Sequence, residues 1–126
     1  MEAQRINPDN LCKPLASYSQ VVRKGNIVTT AGTVAINVEG EIVGKGDIVA
    51  QTRQTLENLK NSLAAAGAEM NDVIKTMIFI SDLANYKGMN EVYDEYFAEN
   101  PPARSTVRAD LALPDLLVEI EAIAVV

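Results

Sequence analysis

The run PARSTVRADLALPDLLVEIEAIAVV, from Pro102 to Val126, decides the reading of the fold. Residues two apart in a strand share a face, and both halves of this run alternate. Over 104–110, Arg104, Thr106 and Arg108 fall on one side and Ser105, Val107 and Ala109 on the other. Over 117–125, Glu119 and Glu121 share a side, while Val118, Ile120, Ala122 and Ala124 line the opposite one. Two strands joined by a turn near Leu113-Pro114-Asp115 follow. The apolar sets would pack on the core, and the charged sets would face water, a cleft or another subunit. Paired as a hairpin, the strands would put Arg104 opposite residues around Ile123, about four positions from Glu119 and hence about 13 Å from it along the backbone. Either the two long side chains then lean toward one ligand, or a partner subunit supplies one of them. The plainer alternative is a cross-strand ladder of Arg and Glu on a solvated face, worth about 0.2–1 kcal/mol per pair. Arg108 with Glu121 is assigned to such a ladder.

Working outward, Asp72 to Ser81 (DVIKTMIFIS) is short, rich in β-branched residues and nearly all apolar, which predicts a central strand buried on both faces. A helix is predicted over 85–99, with Met89, Val92, Tyr93, Tyr96 and Phe97 as its apolar stripe and Pro101-Pro102 as its stop. An earlier helix is predicted over 47–66. Asp47 is its N-cap, Val49, Thr52, Leu56, Leu59, Leu63 and Ala66 recur at helical spacing, and Gly67 suits a left-handed C-terminal cap. Before it, Val21-Val22 and 26–31 flank Lys24-Gly25-Asn26 as a hairpin with Gly at the turn, and a third short strand is expected over 41–44. Residues 1–19, with Pro8 and Pro14, lack periodicity and read as irregular. The order β-β-β-α-β-α-β-β describes an α+β layer, two helices on one face of a mixed sheet. With 126 residues and no repeat or linker, 1–126 reads as a single domain.

Composition narrows the chemistry. A net charge of -6, from 11 basic and 17 acidic residues, is the wrong balance for tracking phosphates, so no nucleic-acid partner is expected. Cys12 is the only cysteine and histidine is absent, which removes an intrachain disulfide, the Ser-His-Asp and Cys-His nucleophile systems, and the usual ligands of a zinc site. No metal and no cofactor are expected. Met1 to Asn10 lacks an apolar signal core, and no run approaches the roughly 18 apolar residues of a membrane span. The expectation is a soluble, cytoplasmic protein without a membrane partner, whose chemistry rests on carboxylates, arginine, hydroxyls and backbone groups.

Pro102-Ala103-Arg104-Ser105-Thr106-Val107, then Leu113-Pro114, then Val118-Glu119-Ile120-Glu121-Ala122-Ile123-Ala124 resembles the C-terminal signature of the RidA/YjgF (reactive intermediate deaminase) family, including its spacing from Arg to Glu. Tyr18, Thr30-Ala31-Gly32, Gln54 to Leu59, Val73 to Asp82, and Asn90 with Tyr93 extend the resemblance over nearly the whole chain. The resemblance implies a chorismate-mutase-like fold assembled as a homotrimer, with three clefts at subunit interfaces. It also implies hydrolysis of the 2-imino or 2-enamino acids released by pyridoxal-phosphate enzymes, giving a 2-keto acid and ammonia.

By the same resemblance, Arg104 would hold the substrate carboxylate through parallel hydrogen bonds and Glu119 would orient or deprotonate a water. Gly32 would let backbone approach the ligand, the backbone around Thr106 would bond substrate or water, and Tyr18 would form a wall from a neighbouring subunit. Ala31 and Asn90 complete the implied substrate-binding set. A protonated imine carbon is already electrophilic, so the reaction needs neither metal nor covalent nucleophile. Tyr18 also reads as an ordinary half-buried anchor, Asn90 as a helix packing residue and Cys12 as an incidental thiol. Thr106 stands where the best-characterised branch has Cys, and Ala31 where it has Ser; both departures bear on substrate range more than on reaction type. The alternatives are a 2-aminomuconate-type deaminase and a non-catalytic trimeric protein that binds small carboxylates or protects against stress. An endoribonuclease role attached to the family name is opposed by the acidic charge and the missing histidine.

Overall fold

The computed structural model describes Met1–Val126. Its elements are β1 (Gln4–Ile6), β2 (Val21–Lys24), β3 (Ile27–Thr30), β4 (Thr33–Val34), α1 (Ile48–Ala65), β5 (Val73–Ile80), α2 (Tyr86–Phe97), β6 (Ala103–Arg108) and β7 (Val118–Val125). Both helices form where the apolar spacing predicts them. The Asp47 side chain accepts a hydrogen bond from the Ala50 N–H at 3.1 Å and starts α1. Gly67, at φ +81, turns the chain out of it. Arg23 of β2 donates to the Ala66 carbonyl at 2.9 Å, tying the end of the helix to the first hairpin. Leu56, Leu59 and Leu63 are fully buried, each side chain contributing about 1.5–3 kcal/mol by leaving water.

The strands form one mixed sheet in the order β1-β2-β3-β7-β5-β6, with β4 also on β7. Every pairing is antiparallel except β5 with β6, which is parallel. That exception corrects the sequence reading: β6 and β7 are not a hairpin. Helix α2 carries the chain from the end of β5 back to the start of its neighbour, so β5 and β6 run the same way. The chain then crosses over, and β7 enters between β3 and β5. Its core-facing Val118, Ile120, Ala122 and Ala124 are all at most 2 % exposed, which suits the middle of a sheet better than its edge.

Register fixes which side chains share a face. Thr76, Ile78 and Ile80 of β5 pair with Ala122, Ile120 and Val118 of β7, and all six face the helices. Arg104, Thr106 and Arg108 pair with the same Thr76, Ile78 and Ile80, so they lie on the helix side of the sheet. Glu119 and Glu121 pair with Phe79 and Met77 and lie on the other side. Three expectations are overturned together. Arg104 and Glu119 leave by opposite faces, the Arg108–Glu121 ladder does not exist, and Val107 points away from the core at 40 % exposure. β5 is buried on its helix side only; Lys75, Met77 and Phe79 on its other side are half-buried.

Two smaller differences concern the first third. Gln4–Ile6 forms an edge strand on β2 where the sequence reads as irregular, because pairing rather than local alternation defines so short a strand. Residues 41–44 form no strand. Gly40 and Gly44 take φ +84 and +78, the Asn37 side chain accepts from the Glu39 and Glu41 N–H groups, and one isolated bridge, Ile36 to Ile42, remains. No helix is long and apolar enough to cross a membrane.

Candidate active site

The candidate residues divide into two clusters. The first stands on the helix side at the sheet edge. There β6 runs past the cover of α1, and its Arg104 lies against α2 instead of solvent. The guanidinium carbon sits 4.7 Å from the Tyr93 ring centroid and 5.8 Å from that of Tyr86, a stacked arrangement that favours a cation. Its Nη2 donates to the Tyr86 hydroxyl at 3.0 Å. Tyr93 is fixed in turn by a 2.7 Å hydrogen bond between its hydroxyl and that of Thr76, and burial holds its pKa above the usual phenol range. Tyr86 moves the other way. The Asn90 amide, one helical turn on, and then the Arg104 charge hold its pKa below that range. Leu83, Tyr86, Arg104 and Thr106 line a shallow cleft. Buried and without hydrogen-bond partners around this arginine are Asn90 Oδ1 and Thr106 Oγ1. Buried polar atoms normally find partners; the hydroxyls of Thr52, Thr55 and Ser62 on α1 are the others that lack one.

The second cluster lies on the opposite face. Glu119 of β7 pairs with Val34 of β4 and Phe79 of β5. Its carboxylate fills the space that a side chain on Gly32 would need: a Cβ there would stand 2.7 Å from the Glu119 carboxyl carbon. Burial, with the charge of Glu121 adding to it, raises the Glu119 pKa above the usual carboxylate range. The carboxylate takes part in no ion pair; the chain's two are Lys45–Asp115 and Arg53–Glu95. Tyr18, Gly32 and Glu119 line one pocket together with Cys12, Asn58 and Leu116. Cys12, partly exposed, is thus a wall of this pocket. Ala31 is held by its own backbone, its N–H donating to Gln20 O at 2.9 Å and its carbonyl accepting from Thr33 Oγ1 at 3.0 Å.

So Arg104, Thr106 and Asn90 come together, Tyr18, Gly32 and Glu119 come together, and the two groups do not meet within the chain. Two strand spacings and three residues of register separate Arg104 from Glu119, about 14 Å of backbone, with side chains on opposite faces. The sequence reading missed Tyr86, and it counted Tyr93 in an apolar stripe and in the family resemblance without giving it a site role. Their one legible signal is that Tyr86, Asn90 and Tyr93 recur at i, i+4 and i+7 on one helix face.

A mixed sheet with two helices on one face, β5-α2-β6 parallel at its edge and β7 inserted at its centre, is the chorismate-mutase-like fold. Residues 9–126 match the family described as Endoribonuclease L-PSP. A RutC family protein of Pyrococcus horikoshii is 50 % identical over 120 residues, covering 94 % of each chain. The 3-aminoacrylate deaminase RutC of Acinetobacter baylyi is 40 % identical over 124 residues, covering 98 % of each. The crystal structure of Escherichia coli TdcF with bound serine superposes with a TM-score of 0.90 at 36 % identity, covering 98 % of each chain. The chain belongs to the YjgF/RidA family, which includes deaminases.

Proposed function

We propose that the protein is a cofactor-free hydrolytic deaminase of reactive 2-enamino and 2-imino acids, working as a homotrimer whose subunits pair the Arg104 cluster of one with the Glu119 cluster of the next. The observation that carries this reading is the separation of the two clusters onto opposite faces of one sheet. Each is chemically half of a site, and only a second copy can bring them together. The sheet face carrying Glu119 also exposes Ile27, Val107, Ile123 and Val125, an apolar set suited to contact with another subunit.

In this reading Arg104 takes the substrate carboxylate, and the unpartnered Thr106 and Asn90 oxygens meet substrate or water. An enamine first takes a proton on carbon to become the iminium. Glu119, its pKa raised above the usual carboxylate range, removes a proton from water as oxygen bonds to the iminium carbon. The same proton passes to nitrogen, the C–N bond breaks as the new hydroxyl gives its proton back to Glu119, and ammonia leaves a 2-keto acid. The relative named as a 3-aminoacrylate deaminase supports the reaction type, and the neighbour solved with serine supports a site for small amino-acid-like carboxylates. Tyr18 would close the cleft from the Glu119 side, and Ala31, lacking a hydroxyl, would leave room there for a different substrate tail. The 2-aminomuconate-type reading shares the same half-sites and differs only in that tail.

The test couples purified protein to a serine or threonine dehydratase and follows keto-acid release. Wild type should accelerate it and Arg104→Ala should not; a wild type no faster than buffer refutes the reading for these substrates. A non-catalytic carboxylate binder would bind pyruvate and leave the release rate unchanged. A ribonuclease would cleave RNA through repeated purification and lose that activity with Arg104→Ala.

A further inference from the structure

We infer that the Tyr86 hydroxyl is a further substrate-binding group, one that donates its proton to the carboxylate held by Arg104; this rests on the deaminase reading of the same cleft. A phenol has one proton to donate and two lone pairs to accept with. The Tyr86 oxygen already accepts from Arg104 Nη2 at 3.0 Å, and the Asn90 amide, one helical turn on, is the first cause of its lowered pKa. No hydrogen bond within the chain uses its own proton. The Tyr93 hydroxyl is engaged with Thr76 at 2.7 Å, the Thr106 hydroxyl has no hydrogen-bond partner, and the remaining wall, Leu83, is apolar. Tyr86 is 43 % exposed and lines the cleft, outside the core.

An Arg104 nitrogen and the Tyr86 oxygen are hydrogen-bonded neighbours, so a carboxylate oxygen on the guanidinium fork lies beside the phenol as well. The chain Nη2–H to phenol oxygen, and phenol O–H to carboxylate, then closes on the ligand. Accepting from a cation strengthens the hydroxyl as a donor. Ionisation would reverse the effect, because a phenolate repels the carboxylate. Arg104 from β6 is the charged group facing this hydroxyl. From its own helix Tyr93 packs against the same guanidinium, while Thr106 and Leu83 carry no charge. Asn90, then the Arg104 charge, bring that ionisation below the usual phenol range.

Calorimetric titration with pyruvate, as a stable 2-keto acid, tests this in wild type, Tyr86→Phe and Arg104→Ala, each checked for folding by circular dichroism. Tyr86→Phe should bind about tenfold more weakly at neutral pH, the loss expected for one hydrogen bond to a charged group. Wild-type affinity should fall as pH rises into the phenol range, and Tyr86→Phe should lack that fall. Equal affinities overturn the inference. So does a weaker Tyr86→Phe that keeps the alkaline fall, since the phenol would then only be steadying Arg104. Pyruvate binding without catalysed keto-acid release sinks the deaminase reading and leaves the Tyr86 assignment standing as carboxylate recognition. No pyruvate binding by wild type overturns both.

Discussion

Gly32 and Glu119 are packed so closely that no side chain fits between them: a Cβ on Gly32 would stand 2.7 Å from the Glu119 carboxyl carbon. Gly32 is absent from the five glycines with positive φ, so its backbone suits any residue and the constraint is contact alone. In Gly32→Ala the carboxylate must swing aside into the open pocket. We expect urea denaturation to shift by less than about 1 kcal/mol, since a side-chain end moves and the core does not. Turnover should fall by about 100-fold, the cost of displacing a catalytic group by an ångström. Unchanged turnover would remove Glu119 from the chemistry.

Arg104→Lys separates charge from geometry. A lysine keeps the positive charge but offers a point donor without the planar fork, and it cannot reach the Tyr86 hydroxyl and a carboxylate together in the same arrangement. The expected result is a drop in kcat/KM of about 100-fold, carried mostly by KM, corresponding to about 2.7 kcal/mol of lost binding. Arg104→Lys retaining wild-type kinetics would show that any cation at the sheet edge suffices.

Most of the secondary structure is legible in the sequence because it is local. Asp47, the leucine spacing and Gly67 mark α1 without reference to anything outside it. Strand pairing is not local, and there the reading fails. The turn residues around Pro114 fit a hairpin as well as they fit a crossover past β5, and only the parallel β5-α2-β6 unit excludes the hairpin. The error in pairing became an error in the site. Charged residues were assigned outward on each strand separately, which put Arg104 and Glu119 on one face. In the structure Arg104 is on the helix side because β6 is an edge strand, where a long side chain lies across Tyr93 and still reaches the cleft. Arg104 and Glu119 themselves were found through the family signature. Tyr86 was not, because an aromatic at helical spacing reads as core until its hydroxyl is seen against an arginine.

Gln51 links α1 to the crossover that delivers β7. Fully buried, it donates to the Asp115 carbonyl at 2.8 Å and the Gly44 carbonyl at 3.2 Å, and it accepts from the Leu117 N–H at 2.8 Å. Gln51→Leu fills the same space while leaving those backbone groups unpaired. At about 1–3 kcal/mol for each buried group that water does not reach, the variant should lose about 3 kcal/mol in urea denaturation. A loss below 1 kcal/mol would mean that the crossover is held by Leu116 packing instead.

The raised pKa of Glu119 gives opposite signs for activity and stability. Burial, then the Glu121 charge, disfavours the ionised form in the folded chain. Between the ordinary carboxylate pKa and the raised folded one, the native state therefore binds more protons than the unfolded state. Its contribution to stability is full at pH below the ordinary value and falls as pH rises through the folded value. Catalysis runs the other way, since only the carboxylate accepts a proton from water. Activity should climb along an acid limb centred above the usual carboxylate range, over the same interval in which this stabilisation is lost. Glu119→Gln removes the charge and keeps the shape. It should match or exceed wild type in denaturant at neutral pH, while keto-acid release falls to background and pyruvate still binds through Arg104. Matched denaturation curves at acid and neutral pH, set beside the pH–rate profile, check both signs. An acid limb at the ordinary carboxylate value would mean that Glu119 is solvated in the working enzyme and that the raised pKa plays no part in the reaction.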